Sequence, residues 1–116
     1  MDIIERQHIE DSLRTNQELL STVLDNIGAC VYMKSPDGRY LYANTAMGEL
    51  VQHLPIQIIG RRDVDFFTLA ISEQLQQHDK QVFDNYQKLA VLETIQCLDD
   101  EKIRYFWSVK VPLLAH

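Results

Sequence analysis

The sequence has 116 residues, which is enough for a single hydrophobic core. Hydrophobic residues make up 46% and charged residues 24%, as in ordinary water-soluble domains, and the net charge of −6 gives no support for nucleic-acid binding. No apolar run approaches the length of a membrane-spanning helix, and the acidic, polar start is unlike a signal peptide. We therefore expect the chain to be cytoplasmic and not inserted in a membrane. It is either a whole protein or part of a longer one.

The first predicted element is a helix over residues 2–27, because no Gly or Pro interrupts the chain before Gly28. Apolar residues recur along it at spacings of three, four and seven, with Asn16 between them; they are Ile9, Leu13, Leu20, Val23 and Ile27. This pattern is close to a coiled-coil seam, in which one Asn can set the register. We interpret the helix as a homodimerisation element, and packing on its own domain is the alternative.

Residues 29–43 predict a β-hairpin. Residues 29–34 are rich in strand-forming side chains, and residues 36–38 supply a turn in which Pro presets φ and Gly accepts a positive φ. Residues 39–43 return as the second strand.

Asn44 is predicted to be a helix N-cap, because its side-chain oxygen can accept hydrogen bonds from free backbone N–H groups. Short helical pieces are predicted over residues 44–59, with a break at Pro55. Residues 60–63 predict a turn, and residues 64–67 a single helical turn that carries two phenylalanines into the core.

The second half predicts a helix over residues 70–90, followed by strands over 91–98 and 103–111 around a turn. The apolar positions assigned to the helix face are Ile71, Leu75, Val82, Tyr86 and Leu89. One face of the last strand is predicted to carry Ile103, Tyr105, Trp107, Val109 and Val111. The predicted order of elements is one helix, two strands, further helices and two more strands. This order indicates the α+β class with an antiparallel sheet.

Sequence motifs of catalysis are not found. There is no phosphate-binding glycine loop, no HExxH and no nucleophile elbow, and the histidines are too scattered for a zinc site. Cys30 and Cys97 fall in predicted strands and are expected to be reduced, buried side chains. We therefore predict no enzymatic activity and no metal site in this chain.

Several segments together resemble the PAS (sensory box) domain over residues 20–113. YMKSPDGRYLYAN is similar to the family's first hairpin, and IIGRRDVDFF to the segment in which a Gly and a later Asp flank a short helix. The helix over 70–90 matches the connector helix, with Asp79 at its middle. VLETIQCLDDEKIRYFWSVKVPL resembles the strand pair that ends in Lys-x-Pro-Leu. The closest resemblance is to PAS domains attached to bacterial diguanylate cyclases (GGDEF domains) or sensor histidine kinases.

The resemblance implies a PAS fold over residues 28–116, preceded by a dimerisation and signalling helix over 1–27. It also implies a fifth strand in the middle of the sheet, whereas only four strands are predicted before His116. We therefore expect a fragment of a longer protein, in which a partner chain or a displaced segment fills the central place.

The function implied is that of a sensory module in bacterial signal transduction, including two-component systems, that acts on a fused C-terminal output domain. A small ligand would lie between the sheet and the helices, and the candidate lining residues are Tyr32, Tyr42, Phe67, Tyr86, Thr94, Gln96, Trp107 and Ser108. The alternative for each of them is ordinary core packing. A ligand-free dimerisation module is the alternative function.

A haem-based gas or redox sensor is a less favoured alternative, because His78 before Asp79 is similar in position to a haem-ligating histidine. Gln76 and Gln77 make its surroundings polar, and Asp84 places an acid where a base would meet a propionate. We therefore expect no cofactor.

Overall fold

A long N-terminal helix precedes two antiparallel hairpins that are separated by short helices, as the sequence predicts. The computed structural model of the chain describes residues 3–113. Its elements are α1 (Ile3–Asn26), β1 (Tyr32–Lys34), β2 (Tyr40–Ala43), α2 (Thr45–Val51), α3 (Pro55–Ile58), a 3-10 helix (Asp63–Asp65), α4 (Leu69–Asn85), β3 (Leu89–Ile95) and β4 (Arg104–Lys110). None of the helices in this range is both long enough and apolar enough to cross a bilayer.

The strands form two separate antiparallel pairs, β1 with β2 and β3 with β4. In the second pair the register runs from Leu89 opposite Lys110 to Ile95 opposite Arg104. Between residues 3 and 113 the two hairpins share no ladder, so β1 and β4 each have one edge without a strand partner. The four predicted strands are therefore present, and the α+β fold class is confirmed.

The Asn44 side chain holds the start of the domain together. Its Oδ1 accepts hydrogen bonds from the backbone N–H groups of Met47 and Val31, both at 3.0 Å. Its Nδ2 donates to the carbonyls of Leu24, at 2.9 Å, and Ala29, at 2.8 Å. Asn44 is 1% exposed, so these four bonds replace water completely. The predicted N-cap is confirmed, and the same side chain also fixes the end of α1.

The Asn44 side chain also explains why β1 is shorter than predicted. Because the N–H of Val31 is taken by the Asn44 side chain, the ladder of the first hairpin begins only at Tyr32. The predicted turn is confirmed, since Gly38 has φ +86° and its N–H donates to the Ser35 carbonyl at 2.9 Å.

The core lies between the hairpins and the helices that follow them. Phe66 and Phe67, 3% and 2% exposed, confirm the predicted burial of the two phenylalanines, although the helical turn predicted over residues 64–67 is a 3-10 helix over Asp63–Asp65 that ends before them. The other members are Tyr40, Ala43, Met47, Val51, Ile58, Ile71, Leu75, Ile95 and Cys97.

The predicted end of the second long helix at residue 90 is wrong. Helix α4 ends at Asn85, because Tyr86 adopts the left-handed conformation with φ +52°. Leu89 already belongs to β3, where it lies opposite Lys110 in the ladder. Tyr86 and Leu89 therefore do not continue the apolar face of the helix.

Helix α1 contributes no buried residue. All five residues of its predicted seam are exposed: Ile9 45%, Leu13 58%, Leu20 58%, Val23 49% and Ile27 52%. The alternative in which this seam packs on the helix's own domain is therefore not what the structure shows.

Replacement of Asn44 tests its part in the fold. Asn44→Ala leaves two buried N–H groups and two carbonyls without their partner, so we expect the free energy of unfolding to fall by about 3 kcal/mol. Urea denaturation measures this change. Asn26→Ala is the control, since the exposed Asn26 amide contacts only the Thr22 carbonyl of its own helix, and its effect should stay within about 0.5 kcal/mol. Equal effects of the two substitutions would contradict the assignment.

Candidate functional site

A cavity of about 580 Å³ lies between the two hairpins, with α4 and α2 on its other sides. Apolar side chains form much of its wall, among them Met47, Leu50, Phe67, Leu75, Val82 and Ile95. Four charged residues also line it: Lys34 from β1, Asp79 from α4, Glu93 from β3 and Lys110 from β4. The cavity is thus apolar with charged groups in its wall, which is the usual composition of a small-molecule site.

Asp79 occupies the centre of these charges. Its Oδ2 accepts a hydrogen bond from Lys34 Nζ at 2.7 Å, and its Oδ1 accepts one from Lys110 Nζ at 3.0 Å. Lys34 lies on the first hairpin and Lys110 on the second. One carboxylate on α4 therefore joins two strands that share no backbone ladder.

Lys34 has a second carboxylate partner. Its Nζ lies 2.7 Å from Asp63 Oδ2, and Tyr40 donates its hydroxyl to Asp63 Oδ1 at 2.5 Å. The ammonium also lies 5.1 Å from the centre of the Tyr40 ring and 5.5 Å from that of Tyr32. Burial alone would lower the pKa of Lys34, but the charges of Asp63 and Asp79 outweigh it and raise the pKa, so this lysine stays charged.

Glu93 closes the network at β3. Its Oε2 lies 2.9 Å from Lys110 Nζ and 2.7 Å from His78 Nδ1. Burial alone would raise the pKa of Glu93, but hydrogen bonds from Ser108 and His78 and the charge of Lys110 outweigh it. The pKa of this carboxyl is therefore lowered.

We call Lys34, Asp63, Asp79, Glu93, Lys110 and His78 the ion network. Two lysines face three carboxylates, so its formal charge is 2 − 3 = −1 before His78 is counted. The Lys34, Asp63 and Glu93 side chains are only 5%, 3% and 2% exposed. Charges this deeply buried are tolerated only when each has an opposite partner, so removal of one member leaves the others uncompensated.

The structure brings half of the predicted lining residues to the cavity. Tyr32, Phe67, Trp107 and Ser108 line it, although Trp107 remains 69% exposed. The pKa of Tyr32 is raised, above all by burial, so its hydroxyl stays protonated.

The other four predicted residues do not line the cavity. Tyr42 is half-buried on β2, and Tyr86 is 55% exposed beyond the end of α4. The Thr94 backbone is held by the Gln74 side chain, and the Gln96 amide donates to the Asp100 carbonyl.

His78, the candidate haem ligand, does not line the cavity either. Its Nδ1 is engaged with Glu93, and the side chain is 19% exposed. Among residues 3–113 no group of three or more His, Cys, Asp or Glu side chains is arranged to hold a metal ion. Both cysteines are free thiols, and burial raises the pKa of Cys30 and of Cys97.

The ion network was missed by the sequence reasoning, although its signal is present in the strands. Glu93 shares a strand face with Val91 and Ile95, and Lys110 shares one with Phe106. A charge at an inward position of a strand predicts a buried partner of opposite sign. The sequence does not show which residue is that partner.

Comparisons with known proteins agree with this architecture. A family model described as PAS fold matches residues 24–116. A relative named diguanylate cyclase, from Vibrio cholerae serotype O1, is 29% identical over 113 residues, which are 97% of this chain and 35% of the relative. The methanogenesis regulatory histidine kinase FilI of Methanothrix harundinacea is 26% identical over 75 residues, 62% of this chain and 8% of that protein. The chain thus spans about a third of the first relative and less than a tenth of the second.

The bridging role of Asp79 can be tested by one amide substitution. Asp79→Asn removes the charge that both lysines share, so we expect the free energy of unfolding to fall by about 3 kcal/mol. Asp84→Asn on the same helix is the matched control, because the pair of Asp84 with Lys80 is exposed and should contribute less than about 0.5 kcal/mol. Chemical denaturation of the two variants measures both values, and a loss in Asp79→Asn no larger than in the control would contradict the bridge.

The lowered pKa of Glu93 predicts a pH dependence with a definite sign. A carboxyl with a lowered folded pKa stabilises the protein above its unfolded pKa, about 4.3, and this contribution disappears as the pH falls through the folded value. The difference in unfolding free energy between the parent chain and Glu93→Gln should therefore be largest near neutral pH and shrink in acid. Denaturation at several pH values measures this difference in unfolding free energy. Glu73→Gln, at an exposed site on α4, is the control, and its difference from the parent chain should not change with pH. If the difference between the parent chain and Glu93→Gln grew as the pH fell, the predicted sign of the pH dependence would be wrong.

Proposed function

This chain belongs to the PAS family of sensory and regulatory domains, and on that premise we propose that it senses a small ligand in a bacterial signalling protein. The ligand would bind in the cavity between the hairpins, and the signal would pass through α1 and the chain beyond β4 to a fused output domain. A diguanylate cyclase or a histidine kinase is the output that the names of the two relatives suggest. We place this module in the cytoplasm and assign no catalytic step to it.

The lining of the cavity supports a ligand with an apolar body and one charged or hydrogen-bonding end. Leu75, Val82 and Ile95 offer apolar contact, whereas Lys34 and Lys110 offer ammonium groups that are already held in place by carboxylates. Groups held in this way need little rearrangement to meet a ligand, which lowers the entropic cost of binding.

The observation that carries the proposal is that the cavity wall and the anchor of α1 share residues. Ala29, Val31 and Met47 line the cavity, and all three are also hydrogen-bonded to the Asn44 side chain. The same side chain holds the Leu24 carbonyl of α1. A ligand that shifts this wall would therefore shift the end of α1, provided that it binds two arrangements with different affinity.

We further propose that the chain acts as a homodimer through the seam of Ile9, Leu13, Leu20 and Val23 on α1 and Ile27 directly after it. These residues are exposed, uncharged and confined to one stripe. A ligand-free dimerisation module is the second candidate function, and the exposed seam is the observation that favours it.

We also expect a further strand between β1 and β4, from a partner chain or a displaced segment. Each of these two strands has an edge without a strand partner in the described part of the chain, and open edges of this kind bind other strands readily. Such a strand would line the cavity together with α4.

Ligand binding is tested by thermal unfolding in the presence of a metabolite library enriched in apolar compounds with one charged group. A compound that binds only the folded chain at one hundred times its Kd should stabilise it by about 2.7 kcal/mol and raise the midpoint by several degrees. Cys30→Trp, which places a large ring at the cavity wall, should abolish the shift, and Met33→Trp, at an exposed position of β1, should retain it.

The outcomes separate the candidate functions. If the chain forms a dimer and no compound raises its thermal unfolding midpoint, the result would favour the ligand-free dimerisation module. Absorbance in the Soret region of freshly purified protein would favour the haem alternative through His78. A shift that survives Cys30→Trp would place the ligand outside the cavity.

A further inference from the structure

The charged groups in the cavity wall are not equally accessible. The side chains of Lys34 and Lys110 are 5% and 8% exposed, and each ammonium group already lies against two carboxylates. The Glu93 side chain is 2% exposed, whereas that of Asp79 is 21% exposed. The charge that this wall offers most openly to another molecule is therefore a carboxylate and not an ammonium group.

Asp79 has acceptor capacity left for a ligand. Its Oδ2 accepts a hydrogen bond from Lys34 at 2.7 Å, and its Oδ1 accepts one from Lys110 at 3.0 Å. An ionised carboxylate has room for about four hydrogen bonds, so each oxygen can accept one more. The ammonium group of a ligand would supply such a donor, whereas a ligand carboxylate has no proton to donate.

The charge balance of the ion network favours the same kind of ligand. The formal charge of the network is −1 before His78 is counted, and most of its side chains are withdrawn from water. A ligand ammonium group would cancel this charge, and a ligand carboxylate would double it. Because uncompensated charge is costly in a buried site, the cation is favoured over the anion. The net charge of −6 on the whole chain also attracts cations at longer range.

Phenylalanine rings lie beside the two carboxylates of the cavity wall. Phe83 follows Asp79 by four residues on α4, so both lie on one face of the helix, and both line the cavity. Phe106 lies opposite Glu93 in the ladder of the second hairpin, and it lines the cavity too. The face of an aromatic ring attracts positive charge, and a neighbouring carboxylate adds to this attraction. The wall therefore has the chemistry that recognises organic cations.

Lys34 shows how this wall already holds one ammonium group. Its Nζ lies 2.7 Å from both Asp63 Oδ2 and Asp79 Oδ2. The same atom lies 5.1 Å from the centre of the Tyr40 ring and 5.5 Å from that of Tyr32. Carboxylates and aromatic rings together thus hold a buried cation of the chain itself. Asp79 and Phe83 offer the same combination to a cation that enters from outside.

We propose that the ligand of this cavity is an organic cation, a protonated amine on an apolar body. The inference rests on the ligand-sensing function proposed above and adds the sign of the charge on the ligand. The ammonium group contacts the Asp79 carboxylate and the Phe83 ring. The apolar body contacts the side chains of Leu75, Val82 and Ile95.

Three probes that share one body and differ in their polar end test the sign of the charge. They are phenylpropylamine, phenylpropanol and phenylpropionate, and each is titrated into the isotope-labelled chain at about pH 8, where the amine is protonated and the carboxylate ionised. The NMR resonances of residues that line the cavity report binding there. We expect the amine to bind about tenfold more tightly than the alcohol, and the carboxylate to bind more weakly than the alcohol.

Three substitutions test the residues. Phe83→Leu removes a ring of the cavity wall without changing the ion network, so it should weaken binding of the amine about fivefold and of the alcohol less. Tyr105→Leu is the matched control, because Tyr105 is 69% exposed on β4 and does not line the cavity, and it should leave both affinities unchanged. Asp79→Asn should abolish the preference for the amine over the alcohol. Thermal midpoints show whether each variant is folded.

The outcomes distinguish this inference from the function on which it rests. Binding of the alcohol or the carboxylate in the cavity as tightly as the amine would overturn the inference and leave the proposed ligand-sensing function intact. Amine binding that shifts the resonances around the exposed Asp84 and not those of Phe83 and Phe106 would be attraction to the acidic surface, and it would also overturn the inference. If no probe shifts the cavity resonances, the inference is overturned, and the metabolite screen described above decides the proposed function separately.

Discussion

The carboxylate of Asp79 is the interaction on which the arrangement of the two hairpins depends. No backbone ladder joins them directly within residues 3–113. The backbone bridge between Phe67 and Cys97 ties the second hairpin to the intervening segment, and the ion pairs of Asp79 connect the two hairpins to each other. Asp79 accepts from Lys34 on one hairpin and from Lys110 on the other, and its position in the middle of α4 makes the helix the fixed reference for both. Buried ion pairs add little net stability compared with apolar packing, but they are costly to break. The network therefore specifies one arrangement of the hairpins more than it stabilises the fold.

Asn44 imposes a second constraint, of a different kind. It replaces a strand partner for Val31, caps α2 and binds the last turn of α1, so that one amide decides where three elements begin or end. Its bonds are neutral and reach residues 3 to 20 positions away in the chain, whereas those of Asp79 are charged and reach residues 31 and 45 positions away. The cavity lies between these two groups, since its wall includes the residues bonded to Asn44 and the charges around Asp79. The wall is thus connected to α1 through the hydrogen bonds of Asn44 and to α4 through the ion pairs of Asp79.

The elements that could be predicted from the sequence are those specified by nearby residues. The long first helix follows from uninterrupted helix formers, the hairpin from its Pro-Asp-Gly turn, and the cap from Asn44 alone. The end of α4 could not be found in this way, because pairing of Leu89 with Lys110 competes with the helix, and that contact is distant in sequence. The ion network was missed for the same reason: Lys34 and Asp79 are 45 residues apart. Four of the eight candidate lining residues were placed at the cavity, since strand alternation shows which residues share a face but not which face points inward.

The same alternation links the interior charges to the exterior of the molecule. Burial alternates along β4, so that Lys110 is buried and Ser108 half-buried whereas Tyr105, Trp107 and Val109 are exposed, although Trp107 and Val109 also border the cavity. A one-residue shift of register would bury the aromatics and expose the lysine, but it would leave Asp79 and Glu93 without Lys110. The buried charges therefore hold the register against the hydrophobic preference of the strand. The ion network thus accounts for the exposure of Tyr105, Trp107 and Val109 on β4 as well as for the charges in the cavity wall.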